Sequence, residues 1–419
     1  MASDSRAAFR YAGFRYFQVA RFLVVSAMEM QSVAVGWQVY EITRRPLDLG
    51  LVGLAQFLPG IFLFLLGGHT ADRLRRQRIV AVCYASFAVC SSLLLWFTAH
   101  GITTVRPIYM VLVGIGVVRA FNGPAGQSLL PQLVPAEDFP NAAAWSSSIF
   151  NTATILGPVL GGVIYAWKNS ALPVYAIAVV CFVLAFGSAL FIQTLTQERP
   201  RGSASVRTVL AGFEYLWQNQ IVLGAISLDL FAVLLGGAVA LLPVYAREIL
   251  AVGPWGLGLL RSAPGAGAVL MALVLAHRPL QKKAGAIMLW CVAGFGVATV
   301  VFGVSRSVTL SLVALLLTGA TDMVSVIVRS TLVQLNTPDE KRGRVNAINM
   351  LFVGASNEFG QFESGITAQW LGTVPAVVWG GIGTLVVVGL WTVMFPKLRR
   401  VDSLVPEVAG ESGVTADPN

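Results

Sequence analysis

The chain has 419 residues, of which 56% are hydrophobic and only 12% charged, with a mean hydropathy of +0.73. That apolar share exceeds the roughly 45–50% of soluble domains and excludes an ordinary water-soluble globule. The net charge of +9 raises nucleic acid as a partner, so the basic residues must first be placed along the chain.

The apolar residues come in runs of about twenty, the length a helix needs to cross roughly 30 Å of hydrocarbon. Twelve runs lie near residues 16–41, 49–68, 79–99, 107–130, 140–166, 172–193, 219–247, 255–276, 285–304, 307–335, 345–370 and 374–395. Helix is the assignment that satisfies backbone polar groups within each segment in lipid, and the runs show no alternating barrel pattern. The expected class is all-α and polytopic, with twelve transmembrane helices. The first run is longer than a signal-peptide core and lacks a small-residue cleavage site, so it should stay as an anchor. Cys83, Cys90, Cys181 and Cys291 fall inside runs without close spacing and read as small buried side chains, not disulfide or metal partners.

Between the second and third runs stands GGHTADRLRRQR, residues 67–78, a dense block of charge. Twelve spans put both termini on one side. The termini and loops of that side hold nineteen of the 29 Lys and Arg, against six in the opposite loops. The positive-inside rule then places both termini in the cytoplasm, with the chain in the cell (inner) membrane. Nucleic acid is unnecessary to explain the charge and is not an expected partner. Residues 194–218 begin polar and then set Val206, Val209, Leu210, Phe213, Leu216 and Trp217 at helical spacing. They are expected to form an amphipathic helix on the membrane surface, linking a bundle over 1–193 to one over 219–400. Residues 401–419 read as a flexible tail.

The two halves repeat. Val39-Tyr40 recurs as Val244-Tyr245 and Pro59-Gly60 as Pro264-Gly265, both at an offset of 205. Gln132-Leu133 matches Gln334-Leu335 at 202, and Pro135, Gly157 and Gly162 match Pro338, Gly360 and Gly365 at 203. Two six-helix halves of the same orientation make a parallel repeat, an arrangement that places substrate near the membrane midplane between them.

At this point the chain resembles the major facilitator superfamily along essentially its whole length. Gly68, Asp72, Arg73 and Arg76 resemble the signature between spans 2 and 3, with Arg75 in place of its usual second Gly. Arg119 to Gly126 in span 4 (RAFNGPAG) resembles the motif that carries an intramembrane Arg, with Asn122 in place of Gln. Gly157, Pro158, Gly161 and Gly162 in span 5 resemble the antiporter motif, with Ala153 replacing its first Gly. Ala20-Arg21-Phe22, Leu210 to Phe213 and Thr337-Pro338 are similar to the subgroup that includes the enterobactin exporter and drug efflux proteins. The resemblance implies a secondary transporter, driven by a proton gradient and without cofactor. Its partners would be a small-molecule substrate and membrane lipid, and its state a monomer. Asp72, Arg73 and Arg76 would then form a cytoplasmic gate.

A charge at mid-membrane costs about 2.5–3.5 kcal/mol or more and needs a partner, a wet cavity or a neutral form. The candidates are Arg21, Glu29, Arg119, Asp229, Arg261, Asp322, Arg329, Glu358 and Glu363. Glu29 and Arg119 are expected to face one cavity, and two readings of Glu29 stand: a proton or cation-recognition site, or a static pair with Arg. Asp229 and Asp322 are further cavity candidates, Asp322 also as a structural partner. Arg21 near the end of span 1 is expected to snorkel. Glu358 and Glu363, five apart, stand roughly 140° around their helix and cannot face one spot. Gln31, Trp37, Gln38 and Phe121 are the candidates for a substrate wall, with core packing as the alternative.

Three functions compete. A proton-coupled exporter of amphipathic, drug-like or siderophore-like molecules fits the repeat, the motif and the buried charges. A facilitator, an importer of a small metabolite or a lipid flippase shares the fold. A membrane-embedded enzyme lacks its constellation: the chain has 3 His, no paired metal-ligand motif and no Gly-x-Ser-x-Gly elbow. No catalytic or metal-binding residue is therefore expected. Gly114-Ile-Gly116 and Gly265-Ala-Gly267 stand within spans with no strand before them, so they read as helix packing and not as nucleotide loops.

Overall fold

The computed structural model describes residues 6–195, 214–278, 280 and 282–402. Among them there is no strand, and long helices carry the architecture. The first bundle is α1 (Ala12–Thr43), α2 (Pro46–Arg73), α3 (Arg76–Ala99), α4 (Arg106–Leu129), α5 (Phe139–Lys168) and α6 (Leu172–Leu190). The second is α7 (Gln220–Gly236), α8 (Gly253–His277), α9 (Ala284–Val304), α10 (Val308–Leu335), α11 (Asp339–Leu371) and α12 (Thr373–Met394). Proline in the first turn starts α2, α4, α5, α6 and α8, where its missing N–H costs no helical bond. Asn219 starts α7, its side chain accepting from the N–H of Ile221 at 3.2 Å and of Val222 at 3.3 Å.

Eleven helices of the described residues are long and apolar enough to cross a membrane. The exception is α11, where the sequence showed a twelfth apolar run. It has 33 residues, ample length, but carries Asn346, Asn349, Asn357, Glu358, Gln361 and Glu363. A helix so polar belongs where protein and water face it more than lipid does.

The repeat is visible in the packing. A Cβ on Gly116 of α4 would run into the backbone carbonyl of Gln56 on α2, and one on Gly319 of α10 into that of Pro264 on α8. Likewise a Cβ on Gly157 of α5 would meet Ser26 and Glu29 of α1, and one on Gly360 of α11 would meet Val233 and Leu234 of α7. Equivalent glycines therefore make equivalent close approaches in the two halves, where small residues let backbones touch.

The seventh span differs from the unbroken run the sequence suggests. Its α-helix stops at Gly236, Gly237 leaves the helical region, and the chain continues as a 3-10 turn (Ala238–Leu241) and a π turn (Tyr245–Ile249). The Gly pair and Pro243 weaken the helix here. The freed Gly237 carbonyl finds a side chain, Ser364 Oγ donating to it at 2.9 Å, and Thr384 Oγ1 adds a bond to Ala232 O at 3.1 Å just before the break.

Most of the amphipathic linker expected over 194–218 lies outside the described residues. Its end, 214–218, is helical. There Leu216 is buried against Val222, Ile226 and Val333, while Trp217 is exposed.

Candidate transport cavity

Between the bundles lies a cavity of about 790 Å³. The first bundle lines it with Met28, Glu29 and Ser32 of α1, Gly53, Gln56 and Phe57 of α2, and Arg119 of α4. The second contributes Ala240 and Pro243 from the broken span, Arg261 of α8, and Asn357, Glu358 and Gln361 of α11. The polar character of α11 is explained here, because it forms much of the wall. Gly68, Gln127 and Ser128 mark the end of the cavity nearer the termini.

The charges are distributed crosswise. Each bundle supplies one carboxylate and one guanidinium, and the Glu29 carboxylate of the first meets Arg261 of the second. Glu29 Oε2 lies 3.9 Å from Arg261 Nε, with both side chains about a quarter exposed. Glu358 accepts from Gln361 Nε2 at 3.2 Å, and Arg119 lines the same cavity. Arg119 donates to Gln56 Oε1 at 3.3 Å. Glu29 and Arg119 face one cavity, as expected, while the ion pair of Glu29 is with Arg261 across it.

At the end away from the termini the bundles close on each other. Tyr40 donates to Glu248 Oε1 at 2.5 Å, Arg247 lies 3.4 Å from Glu41, and Arg44 lies 3.8 Å from Glu248. The Arg247 guanidinium also stacks over Trp37, 5.3 Å from the ring centroid. Glu41 accepts in turn from Tyr165 at 3.1 Å. Below this layer, α5 meets α8 at Gly162 and Gly258, and α2 meets α11 at Gly50 and Gly365. Phe57 of α2 and Phe359 of α11 also meet, with ring centroids 5.7 Å apart. The cavity therefore opens toward the face carrying both termini and is shut at the other. The repeated Val-Tyr pair, followed by charges in both halves, was the signal in the sequence for this layer.

The family model described as transmembrane secretion effector, a branch of the major facilitator superfamily, matches residues 3–410. The chain belongs to that superfamily. It is 24% identical over 415 residues to the enterobactin exporter EntS of Escherichia coli O157:H7, covering 96% of both chains. The enterobactin exporter EntS of Shigella boydii serotype 4 is 24% identical over 410 residues, covering 95% of each. Among solved structures, a point mutant of the nucleoside transporter NupG superposes with a TM-score of 0.71 at 14% identity, covering 91% of this chain and all of that one. A bacterial homologue of the iron transporter ferroportin in an inward-facing state gives 0.66 at 17% identity, over 93% and 98%. These structures share the fold, and the chain is a polytopic membrane transporter, not an enzyme.

The superfamily's span 5 motif has a packing role. A Cβ on Gly157 would sit 2.6 Å from Glu29 Cβ, and one on Gly161 would sit 2.7 Å from Met30 Cα. Gly162 and Pro158 face α8, where Pro158 O lies against Gly258. One face of α5 thus sets the height of Glu29, and the adjacent face forms the seam between bundles.

Within the block after α2, Arg76 and Gln77 bind helix ends of their own bundle. Arg76 donates to Ser128 O at 2.9 Å, at the end of α4, and Gln77 Nε2 to Ala189 O and Leu190 O at 3.3 Å, at the end of α6. A cation and an amide there satisfy orphan carbonyls at helix C-termini. Arg73 is exposed, and the side chain of Asp72 lies outside the described residues.

Several expected cavity residues lie elsewhere. Asp229 and Asp322 border a separate pocket inside the second bundle, and Asp229 forms a buried ion pair with Arg329. Gln38 accepts from Tyr175 at 2.8 Å and donates to Thr98 at 3.0 Å within the first bundle, and Gln31 accepts from Ser91. Trp37 packs on Tyr165 in the closed layer, and Phe121 packs on the core beside Ala120, which does line the cavity. None of the four forms the cavity wall: Gln31 and Gln38 bond within the first bundle, and Trp37 packs on both Tyr165 and Arg247. Arg21 is turned to α5, donating to Ser146 and lying 5.4 Å from the centroid of Phe150, and does not snorkel.

Arg247→Ala removes both the contact with Glu41 and the stacking on Trp37, so it should loosen the closed end. The pair is partly exposed and worth about 1 kcal/mol or less. Labelling of a Ser32→Cys reporter by an impermeant thiol reagent applied from that side should rise by up to about fivefold, in a background without the four native cysteines. Unchanged labelling removes the layer from the closure.

Proposed function

We propose that the protein exports amphipathic small molecules by alternating access, in antiport with protons. Loading takes place from the face of the termini, which we place in the cytoplasm by the excess of basic residues there. The observation that carries this reading is a cavity of about 790 Å³, open on that face only, with its charges divided crosswise between the bundles. Its volume lies within the roughly 300–1,000 Å³ of small-molecule sites.

The geometry supplies a mechanism. At 3.9 Å the Glu29–Arg261 contact is loose, and it joins the two bodies that must move. A substrate cation competes with Arg261 for Glu29, and a substrate anion competes with Glu29 for Arg261. Either way, loading removes a tie between bundles and biases the equilibrium toward the other conformer, as a ligand with differential affinity must. Met28 and Phe57 present apolar surface to the rest of the molecule. The likeness to enterobactin exporters supports a catechol-bearing amphipath as one substrate, and the balanced charges support aromatic cations as another.

Everted membrane vesicles carrying the protein should accumulate both a labelled aromatic cation and a labelled catechol when the lumen is acidified, and lose that accumulation when the proton gradient is collapsed. Glu29→Gln should weaken retention of the cation at least tenfold and that of the catechol less. Accumulation indifferent to the gradient makes the protein a facilitator.

A further inference from the structure

The second bundle buries a charge cluster that the substrate cavity does not use. Asp229 of α7 and Arg329 of α10 form an ion pair with both residues about 95% buried. Asp322, two turns before Arg329 on α10, borders the same pocket as Asp229. That pocket measures about 10 Å³, room for about one water. Its other walls are Ala232 and Val233 of α7, Val292 and Phe295 of α9, and Thr321 and Ser325 of α10.

Two carboxylates on the pocket and one guanidinium beside it leave one negative charge in excess. The titratable groups lining the pocket from α7, α9 and α10 are, among the described residues, Asp229 and Asp322, and Arg329 of α10 pairs with the first of them. Arg329 is already engaged by Asp229. A second carboxylate charge amid Val233, Val292 and Phe295 would be desolvated without a counterion, a state that proteins avoid by neutralising the group. A second observation points into the same space. Ser325 is 1% exposed, and its Oγ has no hydrogen-bond partner. A buried hydroxyl without a partner, on a one-water pocket beside a carboxyl, completes a place for a proton and the water that delivers it.

We propose that Asp322 carries an exchangeable proton, and that this pocket, apart from the substrate cavity, is where the driving ion binds. The inference rests on the antiport reading above and locates its proton. Two contacts link the pocket to the cavity. The first is the seventh span, where Asp229 and Val233 precede the Gly236–Gly237 break and Ala240 and Pro243 follow it into the cavity wall. The second is Gly319, one turn before Asp322, which abuts Pro264 of α8, one turn after Arg261. Loss of the Asp322 proton places a new charge beside the Asp229–Arg329 pair, and both contacts carry the resulting shift toward Arg261.

Infrared difference spectra of purified protein, taken between acidic and alkaline pH, should show a protonated-carboxyl band that Asp322→Asn removes and Asp322→Glu shifts. In vesicles, Asp322→Asn should exchange substrate between equal pools while losing uphill accumulation at least tenfold. A band that survives Asp322→Asn overturns the proposal. So does a band erased by sodium chloride at constant pH, which would make the pocket a sodium site. Wild-type transport indifferent to the gradient defeats the antiport reading instead, and the infrared band then still decides where the proton sits.

Discussion

Gly162→Ala is expected to disable the transport cycle far more than an added methyl group normally does. A Cβ at this position would lie 2.5 Å from Pro254 O and 3.0 Å from Gly258 Cα, both backbone atoms of α8. Neither can move without moving the helix, so the bundles must part at the closed end. Overpacking of this kind costs about 1–3 kcal/mol, which converts to roughly a fivefold to 150-fold shift away from the closed conformer. An impermeant thiol reagent applied to the face opposite the termini should label Ser32→Cys at least tenfold faster, and transport should fall by a comparable factor. The equivalent glycine provides an internal control. A Cβ at Gly365 would meet Gly50 Cα at 3.0 Å and Pro46 O at 3.1 Å, contacts that a few tenths of an ångström relieve. Gly365→Ala should therefore be several times milder. Equal effects at the two positions, or none at Gly162, would show that this seam does not set the closure.

The contrast between these glycines indicates how far the sequence could be read. Span lengths, the offsets of the repeat and the presence of charges inside apolar runs are local properties, and they specified the helices and both bundles. The direction in which each helix faces was not legible. In a soluble helix the polar side reveals the exposed face, but a span that is apolar toward both lipid and protein offers no such contrast. Asp229 and Asp322 could be recognised as buried charges, yet nothing in their runs separated an inward pocket of the second bundle from the central cavity. Glu29 was recognisable in the same way, and it shares the cavity with Arg119, but its ion-pair partner depends on how two bundles meet and is Arg261 of α8. Gln38 carried a polar signal near the cavity and spends it on Thr98 and Tyr175. The capping of α4 and α6 by Arg76 and Gln77 joins residues 52 and 112 positions apart or more, a separation at which helical periodicity carries no information.

Arg329→Met should be the most destabilising single substitution in the second bundle. Arg329 is 4% exposed and sits against the 5% exposed Asp229. Removing one member of a buried ion pair leaves the other charge uncompensated and typically costs about 3–5 kcal/mol. Here the loss leaves two carboxylates, Asp229 and Asp322, on one small apolar-walled pocket. Thermal unfolding in detergent should begin well below that of the parent chain. Asp229→Asn combined with Arg329→Met should recover most of the loss, because the pair is then removed as a neutral unit and Asp322 can be neutralised by its own proton. The asymmetry between the single and double variants separates a pair kept for stability from one kept for its charge. A double variant that is stable but no longer accumulates substrate would show that Arg329 serves the protonation of its neighbour. A single Arg329→Met variant as stable as the parent chain would mean that both carboxylates already carry protons and that the guanidinium never held a net charge in place.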